Sequence, residues 1–423
     1  SATHSSRPIP RILTGLVLAV EGSITLATGY LLILLAAALT QRRARPPAPA
    51  DNNHLRFIIL IPAHDEELGI RDTLASLHGL EYPTDHIEII VIADNCRDRT
   101  ADLARAAGAT VFERYDAHRQ GKGHALSWAL DRLRDDRPEA GALLFLDADC
   151  RVSPNLLTAL DARLRTGAEA VQSNYLVANP GESWTSGLRF AAFALINTVR
   201  PLGLSALGLS SGLFGTGMGF RRALLDEVPW DAVSLAEDGE YHCRLVETGR
   251  RVIFAPEAWV SSSMPTSLRQ ARGQQLRWEG GRWDLIRRRT PKLALDGLRR
   301  RDLRRLHTAL VPLIPPQSLH LAANVGAGLL ALMLRSPAGR KLAAVNLIGQ
   351  TSYITGGLLL VRAPASVYRA LAMAPILTGW KLWLYARILA GRSPKNWVRT
   401  ERAPAGTQPE TPRSTALSAI AEH

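Results

Sequence analysis

Between residues 55 and 150 the chain alternates short apolar runs with segments of helical spacing. Largely apolar runs lie at 55–62, 87–93 and 142–146, and a further short strand is predicted at 110–113. Apolar residues at helical intervals fill the segments between them, for example at 66–80 and 123–133. Strands that are apolar on both sides need cover on both sides, and strands separated by helices pair in parallel. This pattern predicts an α/β domain with a mostly parallel, Rossmann-like sheet and helices on both faces.

Charged side chains follow the predicted strands where each strand ends. Glu66 follows the first strand, Asp94 follows the second, and Asp147 and Asp149 follow the fourth. The carboxyl ends of the strands form the ligand-binding edge of an open α/β sheet. On an extended chain the latter two carboxylates would face one side and could hold a divalent cation against a diphosphate. Lys122 stands between two glycines before a predicted helix, where it could reach a phosphate group. For each residue alone, a turn, a helix cap or a solvated side chain is the alternative.

Two further motifs come later in the chain. Glu237 and Asp238 open a helical stretch, either as acids favoured by the helix dipole or as catalytic carboxylates. Gln274, Arg277 and Trp278 form the pattern Gln-x-x-Arg-Trp. The guanidinium of that pattern suits a diphosphate, and the indole offers a flat face to a sugar.

These motifs, in this order, resemble those of the membrane-bound family 2 glycosyltransferases. That family includes cellulose, chitin and hyaluronan synthases and the nodulation chitooligosaccharide synthases. The resemblance covers about residues 55–283. It implies a GT-A-type fold flanked by transmembrane and interfacial helices, and inverting sugar transfer from a UDP-sugar with Mg²⁺ or Mn²⁺. Asp65 and Ala236 depart from the family's usual Asn and Thr, which weakens the match at those two positions.

The resemblance also implies a role for each motif residue. Asp238 would be the catalytic base for the acceptor hydroxyl. The donor would be bound by Glu66, Asp94, Lys122, Asp147, Asp149, Gln274, Arg277 and Trp278, with the metal on Asp147 and Asp149. The acceptor would be bound by Gly215, Thr216, Gly217, Glu237 and Trp278, with 214–217 as a short strand. Trp397, Thr400 and Arg402 resemble a gating loop that closes over the donor, and a basic juxtamembrane segment is the alternative.

Long apolar segments flank the expected catalytic domain. Residues 12–40, 310–334 and 342–361 are long enough to span a bilayer, whereas 370–389 is typical of an interfacial helix or of a further span. Basic residues beside these segments follow the positive-inside rule. That rule predicts a multi-pass inner-membrane protein with a cytoplasmic catalytic domain. It also accounts for the formal charge of +13, so nucleic acid is not an expected partner.

We therefore predict five regions. They are an N-terminal transmembrane helix and linker (1–50), a cytoplasmic GT-A domain (51–265), an interfacial region (266–305), C-terminal transmembrane or interfacial helices (306–396) and a cytoplasmic tail (397–423). The favoured acceptor is a growing oligo- or polysaccharide chain, and the alternative is a membrane lipid that receives one sugar, as in ceramide glucosyltransferases. So few spans enclose at most a narrow channel, which predicts short products or a homodimer that completes the path.

Overall fold

The sheet lies at the centre of the part of the chain that the computed structural model describes, residues 8–41, 53–137 and 139–390. Its strands are β1 (Phe57–Ala63), β2 (Ile87–Asp94), β3 (Thr110–Arg114), β4 (Ala142–Phe145), β5 (Cys150–Val152), β6 (Ala170–Val177), β7 (Met218–Arg221) and β8 (Val252–Ser262). Their order across the sheet is β3-β2-β1-β4-β7-β6-β8-β5.

Helices surround the sheet and extend away from it. They are α1 (Pro8–Gln41), α2 (Ile70–Leu77), α3 (Thr100–Ala106), α4 (Lys122–Asp136), α5 (Leu156–Arg165), α6 (Trp184–Phe193), α7 (Arg200–Ala206), α8 (Arg222–Glu227), α9 (Glu237–Glu247), α10 (Leu268–Arg288), α11 (Thr290–Arg300), α12 (Leu303–Leu310), α13 (Gln317–Met333), α14 (Pro337–Leu360), α15 (Ala365–Ala370) and α16 (Ala374–Leu389). A π-helical turn, Ala194–Val199, joins α6 to α7.

The first half of the sheet is parallel, as the sequence predicts. β1 pairs in parallel with β2 and β4, and β2 pairs in parallel with β3. Along β1, Phe57, Ile59 and Ile61 enter one hydrophobic core. Ile58 and Leu60 enter a second core on the opposite face. Because both faces of β1 are buried, a continuous apolar run is the sequence that this strand requires.

The second half of the sheet is mixed. β7 runs antiparallel to both of its neighbours, β4 and β6, and β5 runs antiparallel to β8. The expectation of a mostly parallel sheet therefore holds only for the first half. The register pairs Met218, the first residue of β7, with Phe145, the last residue of β4. The segment before β7 consequently lies at the carboxyl end of β4, beside Asp147.

The prediction of a strand at 214–217 is wrong, because β7 begins only at Met218. Gly215 and Gly217 have φ angles of +84° and +65°, which an extended strand does not use. A Cβ on Gly217 would lie 2.0 Å from Ser173 Oγ. These glycines therefore form a tight turn that leads into β7, and no larger residue fits at Gly217 without displacing β6.

Three of the long helices, α1, α13 and α14, pack against one another. Among the described residues, one helix is long and apolar enough to cross a membrane, Arg11–Gln41 within α1. α13 is a shorter apolar helix of 17 residues. The multi-pass layout predicted at 310–334 and 342–361 is therefore not established by length and hydropathy. The linker after Gln41 and the predicted gating loop (Trp397, Thr400, Arg402) lie outside the described residues.

Candidate active site

Lys122 lies at the centre of a group of carboxylates. Its Nζ is 2.6 Å from Asp147 Oδ1 and 3.7 Å from Glu237 Oε1, and it also donates to the carbonyl oxygen of Gly215. Burial disfavours the charge on Lys122, but the neighbouring carboxylates outweigh burial and raise its pKa. The ammonium group is therefore held charged, and it joins the start of α4 to the residues that follow β4 and precede β7.

Asp147, Asp149 and Cys150 form a group of potential metal ligands. Their ligand atoms all lie within 4.8 Å of one another. The two aspartates stand in a turn between β4 and β5, so the extended chain assumed from their spacing is wrong. The turn nevertheless brings both carboxylates together, and Thr216 Oγ1 fixes it by accepting a hydrogen bond of 3.1 Å from Asp147 N. Carboxylate oxygens are the ligands that Mg²⁺ and Mn²⁺ prefer, so this donor set fits such an ion.

Glu237 and Asp238 occupy the first turn of α9. Asp238 Oδ1 accepts a hydrogen bond of 2.7 Å from Gly239 N. A Cβ placed on Gly215 would lie 3.6 Å from Asp238 Oδ2 and 3.7 Å from Lys122 Nζ, so the absence of a side chain there leaves room beside the carboxylate. Burial raises the pKa of Glu237 to about 7 and also raises the pKa of Asp238, while Lys122 opposes both shifts. Raised pKa values suit carboxylates that exchange protons near neutral pH.

A second group of polar residues lies at the ends of β1, β2 and β3. Asp94 forms a buried ion pair with Arg114, whose Nη1 lies 2.6 Å from Asp94 Oδ1. Asn95 Nδ2 donates to the same carboxylate oxygen at 3.0 Å, and the ring of His64 is 2.7 Å from the Asp94 carbonyl oxygen. Glu66 is buried close by, where its backbone N–H donates to Thr100 Oγ1 at 2.8 Å. The structure thus brings Glu66 and Asp94 to one rim of the sheet.

The Gln-x-x-Arg-Trp residues lie on α10. Burial lowers the pKa of Arg277, and three carboxylates oppose that shift, those of Glu237, Asp147 and Asp149. Arg277 is thus close enough to interact with the acidic group. Gln274 Oε1 is buried without a hydrogen-bond partner among the described residues. The indole of Trp278 packs against Phe193, with ring centroids 5.9 Å apart.

Sequence reasoning missed several residues of this region. Arg114 is the register partner of Asp94 on the neighbouring strand, so a closer reading of strand ends could have found it. Cys150 directly follows Asp149 and could have been added to the ligand group. Arg189 lies over the Trp278 ring, its Cζ 5.6 Å from the centroid. No local pattern signals that contact, because it joins two distant helices.

Comparisons with known proteins agree with this geometry. The family model described as "Glycosyltransferase like family 2" matches residues 54–281. A probable glycosyltransferase of Bacillus subtilis, YdaM, is 27% identical over 53% of this chain and 54% of its own length. An N-acetylglucosaminyltransferase of Rhizobium leguminosarum is 23% identical over 74% of this chain and 72% of its own. A beta-monoglucosyldiacylglycerol synthase of Trichormus variabilis is 30% identical over 54% of this chain and 50% of its own. The chain thus spans about half the length of two of these relatives.

One solved structure resembles most of the chain. It is a mannosyltransferase of Pyrobaculum calidifontis in complex with GDP-Man and Mn²⁺, and the TM-score is 0.54 at 18% sequence identity. The match covers 85% of this chain and 98% of the mannosyltransferase. The likeness supports the GT-A-like α/β fold with its mixed sheet.

Proposed function

The chain belongs to glycosyltransferase family 2, and we propose that it transfers a sugar from a UDP-sugar, with inversion, to an acceptor at a membrane. Its activity as a glycosyltransferase that uses a nucleotide sugar follows from the family. The observation that carries the mechanism is the convergence of Lys122, Asp147, Asp149, Asp238 and Arg277 from four separate parts of the chain.

The donor lies along the carboxyl ends of β1, β2 and β4. Glu66 and Asp94 form the nucleoside end, where the Asp94 carboxylate can accept a hydrogen bond from an N–H of the base. Lys122 and Arg277 supply positive charge for the departing diphosphate. Gln274 and Trp278, on α10, line the same side of the donor site as Arg277. The ion pair with Arg114 orients the Asp94 carboxylate.

A divalent cation, Mg²⁺ or Mn²⁺, would be held by Asp147 and Asp149, and when bound it would neutralise charge on the leaving diphosphate. The mannosyltransferase of similar fold contains Mn²⁺ together with GDP-Man, which supports this proposal. Cys150 is fully buried beside the two carboxylates, and burial raises its pKa well above the ordinary value.

Asp238 is the proposed base. The acceptor hydroxyl oxygen attacks the anomeric carbon, the bond from that carbon to the diphosphate oxygen breaks, and Asp238 takes the hydroxyl proton. Glu237, with its raised pKa, is the neighbouring acid and lines the acceptor side together with Gly215, Thr216 and Gly217. The tight glycine turn lets an acceptor approach Asp238 closely.

The distribution of side chains in the helix bundle supports membrane insertion. Large apolar residues point outward from α1, α13 and α14, among them Leu26 (78% exposed) and Met333 (79%). Polar residues lie inside instead: Glu21 is 0% exposed, and Asn346 Nδ2 donates to its Oε2 at 2.8 Å. An apolar exterior around a polar interior is the arrangement that a lipid solvent favours. Water favours the reverse.

The packing of α14 also supports that arrangement. A Cβ on Gly349 would lie 2.7 Å from Thr28 Cγ2, and one on Gly356 would lie 2.8 Å from Leu35 Cδ2. Close approach through small residues is typical of membrane helices. Gly339 faces Val17 near the start of α1, whereas Gly357 faces Leu195 of the catalytic part. The α13–α14 hairpin tip would then lie outside the inner membrane, the catalytic domain in the cytoplasm and α16 at the interface.

Two acceptors remain in competition. The Gln-x-x-Arg-Trp motif favours a growing saccharide chain, and the Rhizobium relative is named as an N-acetylglucosaminyltransferase. The small number of long apolar helices in the described part of the chain favours a membrane lipid, because α1, α13 and α14 alone enclose no wide channel. The Trichormus relative is named for a glucosyl lipid product. A saccharide acceptor would further require short products or a homodimer.

A product-length experiment tests the function and separates the two acceptors. Full-length protein in detergent micelles with membrane lipids would be incubated with radiolabelled UDP- and GDP-sugars and Mn²⁺, and products would be sized at increasing donor concentration. A lengthening ladder supports the saccharide chain, whereas a single product that partitions into organic solvent supports the lipid. Absence of any labelled product and of any nucleotide release, across all donors, would refute the proposed transferase activity.

A further inference from the structure

A cluster of cationic side chains surrounds Glu279 where α10 meets α16. Lys381 Nζ lies 3.6 Å from Glu279 Oε1, and Arg282 Nε lies 3.3 Å from Glu279 Oε2. Tyr385 donates its hydroxyl proton to the same carboxylate, and Gln275 Nε2 donates to it at 2.9 Å. Glu279 is only 5% exposed. Two cations and two neutral donors thus surround this one carboxylate.

Arg189 adds a third cation that has no such partner. It is 8% exposed, and its Cζ lies over the ring of Trp278, which is one turn of α10 away from Arg282. Its Nη2 is buried without a hydrogen-bond partner among the described residues. Burial lowers the pKa of Arg189 to about 10, a value at which the group is still charged at neutral pH. A buried guanidinium nitrogen without a partner is costly unless a ligand completes it.

The charges of this cluster do not balance. Glu279 is the one carboxylate in the described part of the chain whose charge favours the cationic forms of both Arg189 and Lys381. Burial lowers the pKa of Lys381, and Arg189 and Arg282 lower it further by repulsion. Within the described residues, three cations and one carboxylate leave two positive charges without a counter-charge. An anion with two or more oxygen acceptors, such as a phosphate group, would supply what is missing.

The surroundings of the cluster indicate where that anion comes from. The outer face of α16 is apolar, with Ile376 and Leu382 each 53% exposed and Trp383 45% exposed. Arg272 and Arg387 lie over the Trp383 ring, with Cζ atoms 5.3 and 5.1 Å from its centroid. An exposed indole flanked by arginines beside apolar residues is typical of a helix at the level of lipid headgroups.

We propose that Arg189, Arg282 and Lys381 bind the phosphate group of a membrane lipid. The inference rests on the proposed transferase function and deepens it, because Trp278 joins the cluster to the expected acceptor side. The phosphate neutralises the excess charge between α6, α10 and α16. The lipid's hydrocarbon chains remain along the apolar face of α16.

Thermal unfolding of the full-length protein in a neutral detergent tests this proposal. UDP and Mn²⁺ are kept saturating, so that the donor's own phosphate sites are filled. Dioctanoyl phosphatidic acid is expected to raise the midpoint saturably, dioctanoylglycerol is expected to have no comparable effect, and inorganic phosphate is expected to act only at much higher concentration. Arg189→Gln and Lys381→Gln should each weaken the apparent affinity for phosphatidic acid roughly tenfold or more, the usual consequence of losing a charged hydrogen bond.

Two exposed residues provide matched controls, because Arg299→Gln and Lys292→Gln remove the same charges elsewhere on the surface. Both controls should bind phosphatidic acid like the wild type. Equal stabilisation by the glycerol lipid, or equal affinity for free phosphate, would overturn the assignment to a lipid phosphate. So would unchanged affinity in both cluster variants. If the cluster variants do not fold, the comparison of phosphatidic acid, dioctanoylglycerol and inorganic phosphate on the wild type still tests whether a lipid phosphate is bound. Stabilisation by UDP and Mn²⁺ is measured separately, without lipid. If UDP and Mn²⁺ do not raise the unfolding midpoint of the wild type, the proposed transferase site itself is refuted.

Discussion

Replacing Lys122 by Met should move the acid limb of the pH–activity profile upward. Lys122 Nζ lies 3.7 Å from Glu237 Oε1, and at an effective dielectric constant of 20 that separation corresponds to about 4 kcal/mol of attraction. Asp147, at 2.6 Å, shares the same charge, so we assign about half of the attraction to the Glu237–Asp238 pair. About 2 kcal/mol corresponds to a shift of about 1.5 pKa units.

The sign follows from the role of the base. Asp238 works only when it is deprotonated, so activity falls as the pH falls through its raised pKa. Because Glu237 and Asp238 interact, the apparent pKa values in the pH–activity profile belong to the pair of carboxylates and not to either residue alone. In the wild type the acid limb should therefore lie above the ordinary carboxylate value of about 4 and toward the value of about 7 that burial gives Glu237. Removal of the ammonium group makes both carboxylates harder to ionise, and the limb moves to higher pH.

The assay is nucleotide release at saturating donor and acceptor between pH 5 and 9, with pH-dependent unfolding measured alongside. Lys292→Met, at an exposed site, is the matched control and should keep the wild-type limb. Lys122→Arg keeps a positive charge and should therefore keep most of the wild-type position of the acid limb. A Lys122→Met enzyme that remains folded, has a lower rate and keeps an unshifted acid limb would refute the electrostatic argument.

Three further predictions concern the metal, the base and the topology. Asp149→Asn should abolish transfer while the protein stays folded, because the leaving diphosphate would lose its counter-ion. Undiminished turnover of this variant, or full activity of the wild type in excess EDTA, would contradict a metal at this site. Asp238→Asn should lower kcat by two or more orders of magnitude with little change in UDP affinity, since an amide cannot take the proton. Lost UDP affinity with an unchanged kcat would instead assign Asp238 to the donor site. For the topology, Cys96 is first replaced by Ser, and one cysteine is then introduced at an exposed position. Ala338→Cys, on the hairpin tip, should react with an impermeant thiol reagent in intact cells, whereas Asp135→Cys should not. The reverse labelling would exclude the proposed orientation.

The sequence by itself determined the first half of the sheet and the location of its chemistry. Strands β1, β2 and β4 were predictable because burial on both faces demands largely apolar runs, which the chain carries at those places. The position of Asp147 and Asp149 at the carboxyl edge of the sheet was predictable because they follow a strand end. Glu237, Asp238 and Arg277 were recognised from the resemblance, and the structure brings all three close to Lys122 or to the aspartates.

Only the tertiary structure decided the rest. The antiparallel direction of β7 depends on how a long connection packs, and no residue pattern within 218–221 encodes it. The turn at Asp147–Asp149 also depends on a residue that is distant in sequence, because Thr216 holds it from the segment before β7. The cation cluster joins Arg189, Glu279 and Lys381 from three helices that are far apart in sequence. Hydrophobic period and capping are local properties that a sequence displays directly, whereas an unbalanced charge exists only once packing has removed the water that would otherwise solvate it.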